Sequence, residues 1–123
     1  MIVAMVALLV REYDEAIAFY RDAFGFRVVE DTPMAHKRWV RMAAGGGAEL
    51  VLSRAVGEQA AFVGKQAGGR VFLFVHTADF DGDLARMRAA NVRFTEEPRV
   101  EAYGRVVVVE DLYGNRVDVI ERR

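Results

Sequence analysis

Residues 2–10, IVAMVALLV, form a continuous apolar run with the length of a buried strand, far too short to cross a bilayer. Residues 14–24, DEAIAFYRDAF, then place apolar side chains at helical spacing, and Gly25 stands where a helix commonly ends. Residues 26–30 return to a strand pattern, and a turn is predicted at residues 31–33 because proline cannot donate to a strand ladder. Two more strands are predicted at residues 38–43 and 48–53.

The same order of elements returns in the second half of the chain. Residues 70–76, RVFLFVH, read as a strand, and Asp79 can cap a helix over residues 80–90. Three further strands are predicted at residues 92–95, 104–110 and 116–120. We interpret the chain as an internal repeat. A chance α+β meander is the alternative, since the identity between the halves is low.

The repeat predicts an α+β fold class in which two βαβββ modules form curved mixed sheets around a cavity. One module covers residues 1–56 and the other covers residues 70–123, and the glycine-rich residues 57–69 connect them. We expect a single domain over residues 1–123, because that length is typical of one domain.

Charge and cysteine content narrow the classes of function. Lys and Arg number 17 against 18 Asp and Glu, so the net charge is −1, which gives no support for a nucleic-acid partner or an anionic membrane surface. The chain has no cysteine, which excludes disulfides and thiolate sites. Residues 2–10 lack the basic region and cleavage site of a signal peptide, so we expect a cytoplasmic protein.

The first and last strands of each module are predicted to have one aliphatic face, which suits packing on a helix, and one mixed face. The mixed faces carry Met5, Glu49, Ser53, Phe72, Phe74, His76, Arg116 and Asp118. Apolar walls with a few polar groups are typical of a small-molecule cavity. The alternative is that these faces simply meet water, as polar faces of antiparallel sheets do.

Seven segments of the chain, taken together, resemble one known family. They are Val6-Ala7-Leu8-Leu9-Val10, Ala16-Ile17-Ala18-Phe19-Tyr20, Phe24-Gly25-Phe26, Asp79-Phe80-Asp81, Leu84-Ala85-Arg86-Met87-Arg88, Tyr103-Gly104-Arg105 and Asp111-Leu112-Tyr113-Gly114-Asn115-Arg116. As a set they resemble the vicinal oxygen chelate superfamily, also called the glyoxalase/bleomycin resistance protein/dioxygenase family. The resemblance covers nearly the whole chain and implies the same paired βαβββ modules.

The resemblance also implies where a metal would lie. Metal-dependent members place a His or Gln on the first strand of each module and an acid on the last. Carried over residue by residue, these positions hold Met5, Glu49, Phe72 and Asp118. A thioether is a poor ligand for a hard or borderline ion and a phenyl ring is none. We therefore expect no complete metal site and no cofactor, although two carboxylates could hold a divalent metal with much water.

The candidate catalytic residues are Glu49 and Asp118. If they lie close together, one carboxyl would have a raised pKa and the pair could act as an acid/base centre. The alternative is that each is ion-paired with an arginine such as Arg41, Arg105 or Arg116.

The candidate ligand-binding residues are Met5, Trp39, Arg41, Phe72, Phe74, His76, Tyr103 and Arg105. Trp39 and Arg41 share a strand face and could stack on and pair with a planar anion. Tyr103 and Arg105 lie at the start of a predicted strand and could clamp a ligand, or could be ordinary loop anchors.

The favoured hypothesis is a protein that binds a small, flat or aromatic molecule, in the manner of the bleomycin-binding members of the family. The resemblance implies a homodimer. An enzyme is the alternative, namely a lyase, isomerase or dioxygenase with an unusual metal site or with acid/base chemistry at Glu49 and Asp118. A third hypothesis is a structural module whose cavity is filled by its own side chains.

Overall fold

Two sheets, one in each half of the chain, form the fold that the repeat predicts. The computed structural model describes residues 1–122. Its contacts divide the chain into two compact units, Met1–Val63 and the part from Gly64 onward. The division lies inside residues 57–69, which we predicted as the connector. That the two modules enclose one cavity stays a prediction.

The first unit is a four-stranded mixed sheet with one long helix. Its elements are β1 (Met5–Val10), α1 (Tyr13–Phe24), β2 (Arg27–Pro33), β3 (Arg38–Ala43) and β4 (Glu49–Arg54), followed by a 3-10 helix at Gly57–Phe62. The strand order is β1-β4-β3-β2. The outer strand β1 runs parallel to β4, and the other pairs are antiparallel. The predicted βαβββ order is confirmed in this unit.

The second unit repeats this plan with its second strand broken in two. Its elements are β5 (Val71–Thr77), α2 (Phe80–Ala89), β6 (Arg93–Phe94), β7 (Arg99–Glu101), β8 (Gly104–Glu110) and β9 (Arg116–Glu121). The strand order is β5-β9-β8-β6, with β5 parallel to β9, and β7 also pairs with β8. Within residues 1–122, no helix is long and apolar enough to cross a membrane.

The aliphatic strand faces form the cores, as their alternation predicts. Leu8, Leu50 and Leu52 are at most 4% exposed, and α1 packs across β2, β3 and β4 on this side. In the second unit Val117 and Val119 are likewise buried, and α2 packs on β9. The residues at intervening positions on these strands are less buried. The mixed faces are therefore the surfaces on which a site can be built.

Three strands, β1, β2 and β7, differ most from the prediction. β1 begins at Met5 rather than at residue 2. β2 continues through residues 31–33, where we predicted a turn, because β2 is the edge strand of its sheet and the proline lies at its very end. The short strand β7 was missed, since it follows the interruption at Pro98 and has only three residues.

Candidate functional site

Arg41 is the centre of the mixed face of the first unit. Its Nε donates to Glu49 Oε1 at 2.8 Å, and its Nη1 donates to Glu30 Oε1 at 2.6 Å. The three side chains are between 26% and 35% exposed, so water only partly screens the contacts. The hydrogen bond to Glu49 is the main reason that the pKa of Arg41 is raised. Two carboxylates around one guanidinium leave this face with a surplus of negative charge.

Met5 lies beside this ion-pair cluster. β1 and β4 place Met5 directly opposite Glu49, and 42% of Met5 is exposed. Both residues line an open cleft of about 570 Å³ together with Arg41 and the apolar residues Ile2 and Val3. The cleft thus combines an apolar wall with a charged floor, which is a combination typical of small-molecule sites.

The ion pair limits what Glu49 can do chemically. It matches the alternative reading of the sequence, in which Glu49 is bound by an arginine. Because its Oε1 accepts the Arg41 Nε–H, Glu49 is a fixed acceptor for a ligand rather than a free general base.

Glu30 is a site residue that the sequence analysis missed. It bridges Arg41 and Trp39, whose indole Nε1 donates to Glu30 Oε1 at 3.1 Å. The signal that could have found it is the β2–β3 pairing, which places Glu30 opposite Arg41. The predicted turn at residues 31–33 ended the strand at residue 30, so this pairing was not expected.

Trp39 does not line the cleft that holds Met5 and Arg41. It lines a separate cleft at the other end of the same sheet, beside Ser53 and Tyr13. The predicted partnership of Trp39 and Arg41 on one planar anion is therefore not supported, because two carboxylates already bind the guanidinium.

Asp118 is the unusual group of the second unit. Its Oδ1 is buried and has no hydrogen-bond partner among residues 1–122. Burial raises the pKa of Asp118, Arg99 opposes this shift and Glu96 adds to it. Asp118 lies between Phe74 on β5 and Val108 on β8. A buried acceptor without a partner costs free energy when the carboxyl is ionised, which agrees with the raised pKa.

Asp118→Asn is expected to raise the free energy of unfolding at pH 7. The raised pKa means that the folded state binds a proton at Asp118 more tightly than the unfolded state does, so ionisation costs stability as the pH rises. A neutral amide removes that cost. The gain should fade as the pH is lowered and vanish below 3.8, the ordinary pKa of an aspartate. Thermal unfolding between pH 3 and pH 8 measures it.

Asp22→Asn is the matched control for this prediction. The Arg21 side chain lowers the pKa of Asp22, chiefly by a hydrogen bond, so the same substitution there should bring no gain at pH 7. If Asp118→Asn has a lower free energy of unfolding than the wild type at pH 7, the conclusion that the ionised, unpartnered carboxylate destabilises the fold is wrong.

The position of Phe72 is corrected by the strand register. The pairing of β5 with β9 shifts between Val71 and Leu73, so Phe72 lies at an irregularity. Phe74, not Phe72, lies opposite Asp118 in the way that Met5 lies opposite Glu49. Phe74 is also the more open ring, with 64% of its surface exposed.

Arg105 is tied into the fold. It donates to Glu121 Oε2 from Nη2 at 2.6 Å and to Asp81 Oδ1 from Nη1 at 2.8 Å, and its guanidinium lies 4.8 Å from the Phe80 ring centroid. These contacts fix the start of α2 on the sheet, so Arg105 is an anchor rather than a clamp for a ligand.

His76 and Tyr103, two other predicted ligand residues, are exposed side chains. His76 Nδ1 lies 3.4 Å from Arg122 Nη1 at the end of its strand. Tyr103 is 57% exposed and precedes β8. The register of β5 and β9 places His76 opposite Ile120 rather than opposite Asp118.

The family's metal positions do not fit a metal ion in this chain. Met5 and Phe74 offer no oxygen or nitrogen ligand, and Glu49 is held by Arg41. Within residues 1–122, no three His, Asp or Glu side chains are grouped in a way that could hold a metal ion. We therefore derive no reaction step through a metal.

Comparison with known proteins agrees with this architecture. The family model described as Glyoxalase/Bleomycin resistance protein/Dioxygenase superfamily matches residues 2–119. A protein of Shewanella frigidimarina (strain NCIMB 400) is 47% identical over 121 residues, which are 94% of this chain and 90% of that protein.

Solved structures show the same fold. The crystal structure of UcmS2 has a TM-score of 0.81 and 27% identity, covering 96% of each chain. TnmS3, an antibiotic binding protein from Streptomyces sp. CB03234, has a TM-score of 0.77 and 26% identity, covering 98% of this chain and 95% of its own.

Proposed function

The chain belongs to the Glyoxalase/Bleomycin resistance protein/Dioxygenase superfamily, and from that membership we propose that it is a cytoplasmic protein that binds a small aromatic molecule without a metal. The observation that carries the proposal is the cleft of Met5, Arg41 and Glu49. A metal-dependent relative would need a metal-binding side chain at the position of Met5, where this chain has a thioether. The antibiotic-binding activity in the name of the similar TnmS3 supports the same class of function.

Charge on the mixed faces favours a ligand that donates hydrogen bonds. Two carboxylates, Glu30 and Glu49, share the single guanidinium of Arg41, so the cluster has an excess of acceptors. Met5 is 42% exposed and pairs with Glu49 across the strands, so it offers apolar surface beside these acceptors. A planar aromatic body that carries an amine matches both features. Phe74, which lies outside this cleft and is 64% exposed, supports a homodimer, because pairing of two copies would remove apolar surface from water.

Glu49→Gln is expected to weaken binding of a planar aromatic amine by about tenfold, since the loss of one charged acceptor is worth about 1.4 kcal/mol. Doxorubicin, ethidium and proflavine are suitable probes, because fluorescence and isothermal titration calorimetry both report their binding. Glu12→Gln is the control, since Glu12 precedes α1 and does not line the cleft with Met5.

Metal analysis of the same purified protein separates binding from metal chemistry. We expect no stoichiometric transition metal and no increase in Tm on addition of Mn²⁺, Zn²⁺ or Mg²⁺. One tightly bound ion per chain, or failure of every aromatic amine to bind, would contradict the proposal.

Acid/base chemistry at Asp118 is the second candidate function. It is favoured by the raised pKa of a carboxyl whose Oδ1 has no partner among the described residues. Asp118→Asn would then abolish turnover of a substrate and leave its binding intact, whereas a pure binder has no turnover to lose.

A further inference from the structure

A second cleft, at the opposite end of the first unit's sheet, has the reverse charge of the site just described. We call it the hairpin cleft. It lies between the β2–β3 hairpin at His36 and Lys37, the end of β4 at Arg54, and the 3-10 helix at Gln59. Its volume of about 410 Å³ is in the range of small-molecule sites.

The lining of the hairpin cleft is basic. His36, Lys37, Arg38 and Arg54 all border it, and no acidic residue does. Arg38 offers a ligand no net positive charge, because it donates to two carboxylates, Asp14 at 2.8 Å and Asp31 at 2.7 Å. The positive charge available to a ligand must therefore come from the other basic side chains.

Lys37 and Arg54 carry that charge. The ammonium group of Lys37 makes no ion pair or hydrogen bond with any side chain in the described part of the chain. Among the described residues, the only ion-pair partner of Arg54 is Glu12, at 3.9 Å, and both of these side chains are more than 40% exposed, so the pair is weak. A carboxylate entering the cleft would meet two cations whose charge is largely uncompensated.

The walls of the hairpin cleft suit a flat apolar body. Trp39 and Tyr13 border it. The indole N–H of Trp39 is held by Glu30, which fixes the ring in place. Tyr13 is buried beneath Arg38 and Arg54, whose guanidinium carbons lie 5.2 Å and 5.9 Å from its ring centroid. Gln59 accepts from the Val56 N–H with its Oε1, so its NH₂ remains to donate to an anion.

We propose that the hairpin cleft binds small aromatic carboxylates. The aromatic body lies against Trp39, and the carboxylate group is bound by Lys37 and Arg54. This site is independent of the proposed function, because it shares no lining residue with the cleft of Met5, Arg41 and Glu49. The two clefts can be distinguished by ligand charge, because the hairpin cleft should bind an aromatic carboxylate and the other cleft an aromatic amine.

The experiment compares 2-naphthoate with 2-naphthamide, which has the same ring system and no charge. Trp39 is the only tryptophan in the chain, so quenching of its emission reports on this cleft, and calorimetry gives the affinity. We expect naphthoate to bind at least about fivefold more tightly than naphthamide at low salt, with the difference reduced in 0.5 M NaCl.

The double variant Lys37→Gln/Arg54→Gln should bind naphthoate no better than naphthamide. The matched control is Arg70→Gln/Arg93→Gln, in which two exposed arginines of the second unit are replaced and the affinity should not change. Lys37→Gln alone, at an exposed hairpin residue, keeps the test valid if the double variant is unstable.

Equal affinity of the wild-type protein for the two probes would overturn the proposal, as would wild-type affinity in the double variant. Glu49→Gln should leave naphthoate binding unchanged. Failure of the wild-type protein to bind any aromatic amine, with naphthoate bound as expected, would count against the proposed function alone, and the reverse would count against the hairpin cleft alone.

Discussion

Gly64→Ala is expected to lower the free energy of unfolding by about 3 kcal/mol or more, because two costs add at this position. A Cβ on Gly64 would clash with the carbonyl oxygen of Tyr113, which is backbone and cannot rotate away. The φ angle of +83° is also one that alanine rarely adopts. Urea unfolding of the wild type and the variant measures the difference.

Gly68→Ala separates the two costs. Gly68 has a φ of +63°, but a Cβ there would meet nothing within 4 Å. It should lose only about 1 kcal/mol, the part that comes from the backbone angle. Equal losses at the two glycines would show that residues 64 and 113 do not approach each other as closely as the structure indicates.

The turn at residues 111–115, which contains Tyr113, explains why Gly64 matters. Asp111 Oδ1 accepts from the backbone N–H groups of Tyr113 and Asn115, and Asn115 Oδ1 accepts from the Gln66 N–H at 3.0 Å. Asp111 and Asn115 are both nearly fully buried. The Asp-x-x-Gly-Asn motif therefore fixes the chain that enters the second unit, which is a structural role.

The fold could be predicted because it depends on local signals that the sequence repeats. Gly25 has φ +71° and ends α1, Asp79 caps α2 through the Gly82 N–H, and Asn91 takes the left-handed conformation expected after α2. Two features that were not predicted, the full length of β2 and the strand β7, depend instead on pairing with neighbours across the sheet. Propensity and periodicity do not contain that information.

The site was harder to predict because it depends on register and burial. Alternation places Arg41 and Glu49 on one face, but only the β3–β4 register brings them into contact. A one-residue irregularity in β5 moves the equivalent of Met5 from Phe72 to Phe74. The unpartnered oxygen of Asp118 follows from burial of its carboxyl, which a sequence does not show.

Tyr20 shows that the Phe-Tyr and Phe-Gly-Phe segments, which also resemble the family, have a structural role. Its side chain is 0% exposed, and its ring centroid lies 5.5 Å from Phe19, 5.3 Å from Phe24 and 5.8 Å from Phe26. The Phe-Tyr and Phe-Gly-Phe segments thus build the aromatic core under α1. Since these motifs make the fold, a resemblance based on them identifies the family without identifying the ligand.

Tyr20→Ala is therefore expected to cost about 4 kcal/mol, the usual loss when a large buried aromatic side chain is removed and a cavity remains. A domain of this size has a total stability of about 5–15 kcal/mol, so the variant should unfold at much lower urea concentration and lose most of its ligand binding with the fold. Tyr103→Ala makes the same substitution at a side chain that is 57% exposed, and should change stability by less than about 0.5 kcal/mol. If the two variants unfold alike, the aromatic core does not stabilise the first unit, and the motifs would have to act on the ligand instead.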